Sequence, residues 1–336
     1  MIGSGFDRME ACELLALCAV IENAVQPPIP QPSEWNLLFD SPEIGPLKNK
    51  WQLWRKGSGP FAIVLRGTTM EPGSILEDLI SLLVEATGSI KIGNYAMDYK
   101  FASDPEAGVH LGFALGTLLL LKDPQFGILA NLGKFVTVGS DIFIAGHSQG
   151  AALGTLLRSY FHYDPNGLIN SCSFKTYYYA QPKPGNDHYA EDFEANFCIP
   201  ELAFRVTNTL DWVPQVPFTL QSVKDISTPN PLSTSPPLIL TLIKNSVISL
   251  INLIELQARH RLHPTAVWLV HAENISAGIS KEELLPMPLD VPILPSLNFV
   301  NAGIEFPLAG IPCSGNQCLD SFFEHHASTY YKLLCD

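Results

Sequence analysis

Short apolar runs alternate along the chain with longer stretches in which apolar residues recur at helical spacing. The short runs predict β-strands over 51–55, 61–65, 141–145, 175–180, 203–207 and 266–270. Strands that alternate with helices and are continuously apolar are typical of a parallel sheet covered on both faces. The pattern therefore predicts an α/β protein with a mostly parallel central sheet.

Two of the helical stretches carry further information. Residues 5–23 predict a buried N-terminal helix, because acidic residues interrupt the apolar part and no basic residues lead it as they would in a secretory signal. Residues 238–259 predict a helix with a wide apolar face and one narrow polar stripe, formed by Thr241, Asn245, Ser249, Asn252, Glu255 and Arg259. A membrane span is not expected there, since a lysine such as Lys244 well inside a span costs about 2.5–3.5 kcal/mol. A buried core helix and a cap or lid helix both fit this pattern.

Composition restricts the class of function. The chain has 336 residues and 46% hydrophobic content, enough for one large domain over 1–336. Its formal net charge is -13 with only 20 Lys and Arg, so it lacks a basic surface for nucleic acid. The seven cysteines predict mostly buried thiols, although Cys313 and Cys318 could close a short disulfide loop. No second Cys/His pair completes a zinc site with them, and no structural metal is expected.

The segment Gly146-His147-Ser148-Gln149-Gly150 joins a predicted strand to a predicted helix. A serine between glycines at such a turn is typical of a nucleophile elbow, in which a strained backbone exposes the hydroxyl above the sheet edge. An ordinary strand-to-helix turn capped by serine is the structural alternative. The strand-turn-helix context favours the elbow.

A nucleophilic serine needs a histidine to accept its proton and an acid to orient that histidine. On this fold the order along the chain is serine, acid, histidine. Asp211 follows the strand predicted at 203–207, and His325 and His326 lie near residue 336. Asp187 is the next acid to consider.

The chain resembles the class 3 lipases, a family of α/β-hydrolases that includes fungal triacylglycerol lipases. The resemblance rests on six segments in family order: AIVLRGTT at 62–69, VHLGF at 109–113, GHSQG at 146–150, QPKPGN at 181–186, NTLDWVPQVP at 208–217 and LHPTAVWL at 262–269. Gln149 departs from the leucine that is usual in this family.

The resemblance implies a role for each matching residue. Ser148 would be the nucleophile and Asp211 the orienting acid, while Thr68 and Gln149 would supply backbone N–H groups to an oxyanion hole. His325 fits the family pattern of an acid, a histidine and a tyrosine five residues on, whereas His326 fits only the tyrosine spacing. His325 is therefore the expected base, with His326 as the alternative. Neither a metal nor an organic cofactor is implied.

About forty residues within 218–261 have no counterpart in the compact fungal enzymes and predict an inserted helical cap. The usual lid of the family would fall within 70–108, where residues 74–99 are also amphipathic. Two apolar segments could therefore overhang the serine and shape the acyl and alcohol pockets.

The expected function is hydrolysis of lipid esters, as in a triacylglycerol lipase, through an acyl-enzyme on Ser148. A phospholipase A1 and a broad carboxylesterase remain open within the same chemistry. Acyl transfer to another alcohol and non-catalytic lipid binding are alternatives of other classes, and transient contact with a lipid–water interface is expected. The absence of a signal-like N-terminus favours the cytosol, whereas a Cys313–Cys318 disulfide would favour secretion.

Overall fold

A computed structural model describes residues 2–45, 47–67, 82–92, 95–164, 167–222, 225–226, 238–276 and 291–336. Eleven strands lie in these ranges: β1 (Trp35–Asp40), β2 (Lys50–Lys56), β3 (Phe61–Arg66), β4 (Leu83–Glu85), β5 (Thr87–Ile92), β6 (Tyr95–Lys100), β7 (Gly108–His110), β8 (Asp141–His147), β9 (Ser173–Tyr179), β10 (Ala203–Asn208) and β11 (Ile304–Leu308). The α-helices there are α1 (Arg8–Ile21), α2 (Leu111–Lys122), α3 (Ile128–Leu132), α4 (Gln149–Tyr163), α5 (Gly167–Asn170), α6 (Asp187–Phe197), α7 (Leu238–Ser276) and α8 (Ala327–Cys335).

Seven of the strands form the central sheet in the order β1-β2-β3-β8-β9-β10-β11. From β3 to β11 neighbouring strands are parallel, whereas β1 and β2 run antiparallel at one edge. Two small antiparallel pairs, β4 with β7 and β5 with β6, lie outside it. The predicted α/β class with a mostly parallel sheet is confirmed, and the architecture is that of an α/β-hydrolase.

Both faces of the central sheet are buried, as the continuously apolar strands predict. In β3, Ile63 and Leu65 join the larger apolar core, while Ala62 and Val64 on the opposite face join the smaller one. The larger core includes side chains of α2 and α4. The smaller core includes side chains of α1 and α8, which cover the other face. The N-terminal helix predicted over 5–23 is therefore confirmed as α1 and lies directly against the sheet.

Five of the six predicted strands are present, and the one predicted over 266–270 is wrong. Those residues lie inside α7, which continues through Pro264. A short apolar run is too short to show whether its period is that of a strand or of a buried helix. Ala266 and Val270 lie one helical turn apart, and both are buried in the core. The sheet position after β10 is taken by β11, whose sequence IEFPL contains a proline. A proline is tolerated there because β11 is an edge strand.

The helix predicted over 238–259 is present as the first part of α7, but its faces are not as expected. Glu255, a member of the predicted polar stripe, is only 2% exposed. Leu250, Leu253 and Ile254, at helical spacing on one face, are 58%, 50% and 43% exposed. These three apolar side chains therefore point to solvent, as do the polar residues Ser249 and Asn252. Within the described ranges, no helix combines the length and hydropathy that a membrane span requires.

Part of the predicted lid segment 70–108 consists of β-strands. Leu83, Val84 and Ile90 from β4 and β5 are buried in the larger core. Residues 68–81 and 93–94 lie outside the described residues. The assignment of a lid to 70–108, and of a cap to 218–261, stays a prediction.

The expectation that most cysteines are thiols is wrong, because four of the seven form disulfides. Cys313 and Cys318 are bonded, as the short loop between them allows. Cys12 and Cys335 are bonded as well, although 323 residues separate them in sequence. Pairing between α1 and α8 depends on the tertiary packing of the two helices, which the cysteine spacing alone does not reveal. Cys18, Cys172 and Cys198 are free.

Candidate active site

Ser148 lies at the sharp turn between β8 and α4. Its backbone adopts φ 56° and ψ -131°, a strained combination for a residue with a side chain. The turn is tight because Gly146 and Gly150 approach each other and Leu65 so closely that a Cβ on either would overlap backbone atoms. The glycines of the motif are therefore required by close packing. The predicted strand-turn-helix elbow is confirmed.

The hydroxyl of Ser148 is the first member of a chain of hydrogen bonds. Ser148 Oγ lies 2.8 Å from Nε2 of His325, and Nδ1 of His325 lies 2.8 Å from Oδ2 of Asp211. The serine hydroxyl donates to Nε2, while the Nδ1–H donates to the carboxylate, so the ring has the tautomer that general-base catalysis needs. The structure thus brings together the predicted nucleophile, base and acid from three separate parts of the chain.

Asp211 is held by donors that favour its charged form. Besides His325, the backbone N–H of Val213 and the hydroxyl of Tyr330 donate to its carboxylate, at 3.0 and 2.8 Å. Burial opposes ionisation of this carboxyl, but the charge of His325 and these hydrogen bonds hold the pKa of Asp211 below its ordinary value. The acid is therefore a carboxylate in the folded protein and can stabilise a positive charge on His325.

The two adjacent histidines have different surroundings. His325 is 5% exposed, and burial lowers its pKa from the ordinary 6.5 although Asp211 acts in the opposite direction. His326 is half exposed and pairs with Asp320 at 2.7 Å. Asn208 secures the turn before them, since its amide donates to the backbone carbonyl and to the carboxylate of Glu324. His325 is thus the histidine that contacts Ser148.

Ser148 itself is less accessible than the elbow motif predicts. It is 9% exposed, so the expectation of an exposed hydroxyl is wrong for this structure. The hydroxyl points at the buried ring of His325, which covers it on that side. The ring of His325 therefore shields one side of the hydroxyl.

The expected oxyanion hole is only partly within the described residues. Thr68 lies outside them, whereas Gln149 begins α4 directly after the nucleophile. Gly67 packs against the side chain of Gln149 so closely that a Cβ on Gly67 would overlap it. Arg66 fixes the preceding strand end through Glu43 at 2.7 Å and the carbonyl of Lys48 at 3.0 Å. The end of β3 and the start of α4 therefore meet beside Ser148, as the elbow geometry requires.

Glu22 is a part of this site that the sequence pattern does not indicate. Glu22 follows α1 and its Oε1 lies 3.0 Å from Nδ1 of His147, the residue before the nucleophile. The Nε2 of His147 lies 2.8 Å from the backbone carbonyl of His325. A glutamate at the end of a predicted helix gives no local signal of such a contact, because it arises only when α1 packs on the sheet.

Within the described ranges, one further group of side chains has the geometry to hold a metal ion. Ligand atoms of Asp104, Glu106 and His188 lie within 4.8 Å of one another. His188 Nδ1 is 3.2 Å from Asp104, and its pKa is raised because these carboxylates outweigh the effect of burial. An ion pair accounts for this exposed arrangement without a metal.

A strained serine at a strand-to-helix turn, with a histidine and a carboxylate in line behind it, defines a serine hydrolase of the α/β type. Residues 62–221 match the model of the class 3 lipases, so this part of the chain, which holds Ser148 and Asp211, belongs to that family. The chain is accordingly a carboxylic ester hydrolase of the lipase type. His325 lies beyond the matched range.

Several solved structures are similar to this chain. The M37 lipase has 19% identity and a TM-score of 0.47, with 72% of this chain and 78% of that chain covered. The Rhizomucor miehei lipase propeptide complex has 16% identity and a TM-score of 0.44, covering 64% and 65%. The LIP2 lipase of Yarrowia lipolytica has 19% identity and a TM-score of 0.45, covering 64% and 77%. A comparison with curated proteins finds no match.

Proposed function

We propose that the protein hydrolyses lipid esters with Ser148 as nucleophile, His325 as general base and acid, and Asp211 as the orienting acid. The observation that carries this proposal is the unbroken line of two 2.8 Å hydrogen bonds from Ser148 through His325 to Asp211. His325 takes the proton of the hydroxyl as Oγ attacks the ester carbonyl, and then gives it to the departing alcohol. Water, activated by the same histidine, releases the acid from the acyl-enzyme.

The negative charge on the carbonyl oxygen needs donors in the transition state. We propose the backbone N–H groups of Gln149 and Thr68 for this role, as the family resemblance implies. The contact between Gly67 and Gln149 supports it, because it holds the end of β3 next to the start of α4. Loss of one such donor typically costs about 2.7–4 kcal/mol of transition-state stabilisation.

We propose that an apolar cavity beside α7 receives the acyl chain, which would favour long acyl chains over small soluble esters. It encloses about 300 Å³ between the segment after Asp211 and α7. Its lining is Pro217, Phe218, Leu220, Ala258, Arg261, Leu262, Leu297 and Phe299. Arg261 is the one charged residue in this lining, so the cavity offers a hydrocarbon chain an apolar surface with a cation beside it.

The solvent-facing apolar residues of α7 support transient contact with a lipid–water interface. Leu250, Leu253 and Ile254 are exposed on one helix face, and Phe218, which lines the cavity beside this helix, is 78% exposed. Apolar side chains clustered in this way gain free energy by entering an acyl phase. The lid and cap assignments for 70–108 and 218–261 remain part of this proposal.

The test is a substrate panel on purified protein. Rates are measured with p-nitrophenyl esters of rising chain length, then with emulsified triglyceride and with phospholipid, using Ser148→Ala as the inactive control. We expect ester hydrolysis that rises with chain length and disappears in Ser148→Ala. Equal activity of Ser148→Ala on every ester would contradict the triad. Products formed only when glycerol or a sterol is added would indicate acyl transfer instead.

A further inference from the structure

His147, the residue before the nucleophile, is enclosed between two groups that accept hydrogen bonds. On one side, Oε1 of Glu22 lies 3.0 Å from its Nδ1, and on the other the backbone oxygen of His325 lies 2.8 Å from its Nε2. His147 is 5% exposed, and the Glu22 side chain is 19% exposed. The pair is therefore largely shielded from water.

This arrangement determines where protons lie. A carbonyl oxygen can only accept, so Nε2 of His147 must carry a hydrogen. A neutral ring would then have a bare Nδ1, which cannot face the oxygen of a carboxylate at 3.0 Å without repulsion. His147 and Glu22 together must therefore carry one proton more than a neutral imidazole and an ionised carboxylate would carry. Burial lowers the pKa of His147, but Glu22 outweighs it and raises the pKa above the ordinary value, which places that proton on the ring.

We propose that Glu22 and His147 form a charged positioning pair for His325, the base of the proposed function. The imidazolium of His147 donates to the backbone carbonyl of His325. This hydrogen bond holds the main chain of the base in place. Its ring also lies 4.7 Å from the ring of His325, tilted by 33°. Neither residue of the pair contacts the reacting atoms, so both act through His325.

The charge of His147 also affects the base directly. A positive ring beside His325 disfavours a second proton on His325 and so favours the neutral form that a general base needs. Asp211 raises the pKa of both rings. The charge of Glu22 partly offsets the effect of His147 on the pKa of His325. Tyr330 also packs against His147, with its ring edge-on at 5.8 Å, and its raised pKa keeps it neutral. Cys18 feels the charge of Glu22, and burial together with that charge raises its pKa, so it is neutral as well.

Loss of the shared proton at alkaline pH would break this support. The neutral ring could then donate to Glu22 or to the carbonyl of His325, but not to both. Whenever it donates to Glu22, the lone pair of Nε2 faces the carbonyl oxygen and repels the backbone of His325. Activity should therefore fall when the pair loses its proton.

The variant Glu22→Gln tests this idea, because glutamine can donate to Nδ1 and allows a neutral His147 to keep its bond to His325 at every pH. Nitrogen NMR of His147 should show hydrogens on both ring nitrogens of the wild type at neutral pH, and on one in the variant. The alkaline limb of kcat/KM should be present in the wild type and absent in the variant. Glu10→Gln is the matched control, since Glu10 lies on α1 but pairs with Lys175 and Tyr177 rather than with His147.

A neutral His147 in the wild type at neutral pH, or an alkaline limb that is the same in wild type and Glu22→Gln, would overturn the proposal. The NMR measurement needs no turnover. Failure of the pair can therefore be distinguished from failure of the Ser148 triad, which a serine-directed phosphonate and the Ser148→Ala variant report separately. Circular dichroism of each variant checks that the fold is retained.

Discussion

The disulfide between Cys12 and Cys335 joins α1 to α8. The end of α1 and the start of α8 both lie next to the turn that holds Ser148. Glu22, which contacts His147, caps the end of α1, and His325 is two residues before the start of α8. The two helices pack together in the smaller core on one face of the sheet. The bond therefore constrains the two segments that hold His325, the proposed base, in place.

Removal of this disulfide should lower stability more than removal of the other one. By the chain-entropy argument, a bridge across 323 residues restricts the unfolded chain far more than one across five. We expect Cys12→Ser with Cys335→Ser to cost about 4–5 kcal/mol, at the upper end of the usual range, read from urea unfolding, and Cys313→Ser with Cys318→Ser to cost less. The reverse ranking would show that packing of α1 and α8 does not depend on the bridge.

Substitutions at the triad should separate the two adjacent histidines. Ser148→Ala and His325→Ala should each lower kcat by about three orders of magnitude or more, because the nucleophile or its activation is lost. His326→Ala should change kcat little, since His326 pairs with Asp320. Asp211→Asn should be severe, and Asp187→Asn, at the start of α6, is its control. A large loss in His326→Ala with an active His325→Ala would reassign the base.

The chain order of Ser148, Asp211 and His325 could be predicted because each lies in a local motif beside a strand or helix end. The position of Glu22 could not, since its contact with His147 depends on how α1 packs against the sheet. The orientation of α7 was also beyond the sequence. A stripe such as Ser249, Asn252 and Glu255 indicates that a helix is amphipathic but does not show which face the rest of the protein covers.

The pH dependence of hydrolysis should reflect the surroundings of His325. Its pKa lies below the ordinary 6.5, because burial disfavours the imidazolium more than Asp211 favours it. A general base must be neutral, so the acid limb of kcat/KM should have its midpoint below 6.5. A midpoint at or above that value would contradict the assignment. The free energy of unfolding should also decrease toward acid pH. The unfolded chain binds a proton at His325 more readily than the folded chain does, so the stability contributed by His325 falls as the pH drops below 6.5.

Gly67→Ala should impair catalysis without unfolding the protein. The new methyl group would overlap the side chain of Gln149 and displace the first turn of α4, which follows Ser148. We expect kcat to fall by about tenfold to a hundredfold, comparable to a misplaced oxyanion donor. Gly167→Ala is the control, since a Cβ there would meet nothing within 4 Å apart from its chain neighbours and its own helix turn. Full activity in Gly67→Ala would show that Gln149 does not help to form the oxyanion hole.

Filling the apolar cavity should change the preference for chain length. Ala258 lies on α7 in the cavity lining, and tryptophan at this position would occupy a large part of the 300 Å³. Ala258→Trp should therefore reduce kcat/KM for long-chain p-nitrophenyl esters and leave short-chain esters almost unaffected. Arg205→Lys, on β10 and paired with Glu305, is a control outside the lining. Equal losses on short and long esters would show that the cavity does not receive the acyl chain.

The exposed face of α7 leads to a prediction about emulsified substrate. Ile248 and Ile251, also apolar residues of this helix, are partly buried, whereas Leu250, Leu253 and Ile254 are exposed and can enter a lipid surface. Replacing Leu250 and Leu253 by asparagine removes apolar contact area but little buried packing, and stability should change by less than about 0.5 kcal/mol per site. The rate on emulsified triglyceride should fall several-fold, while the rate on a soluble short-chain ester stays unchanged, because the triad is untouched. Ile199→Asn is the control, since Ile199 is 80% exposed and follows α6 rather than lying on α7. Equal losses on both substrates, or the same loss in the control, would show that α7 does not contact the interface.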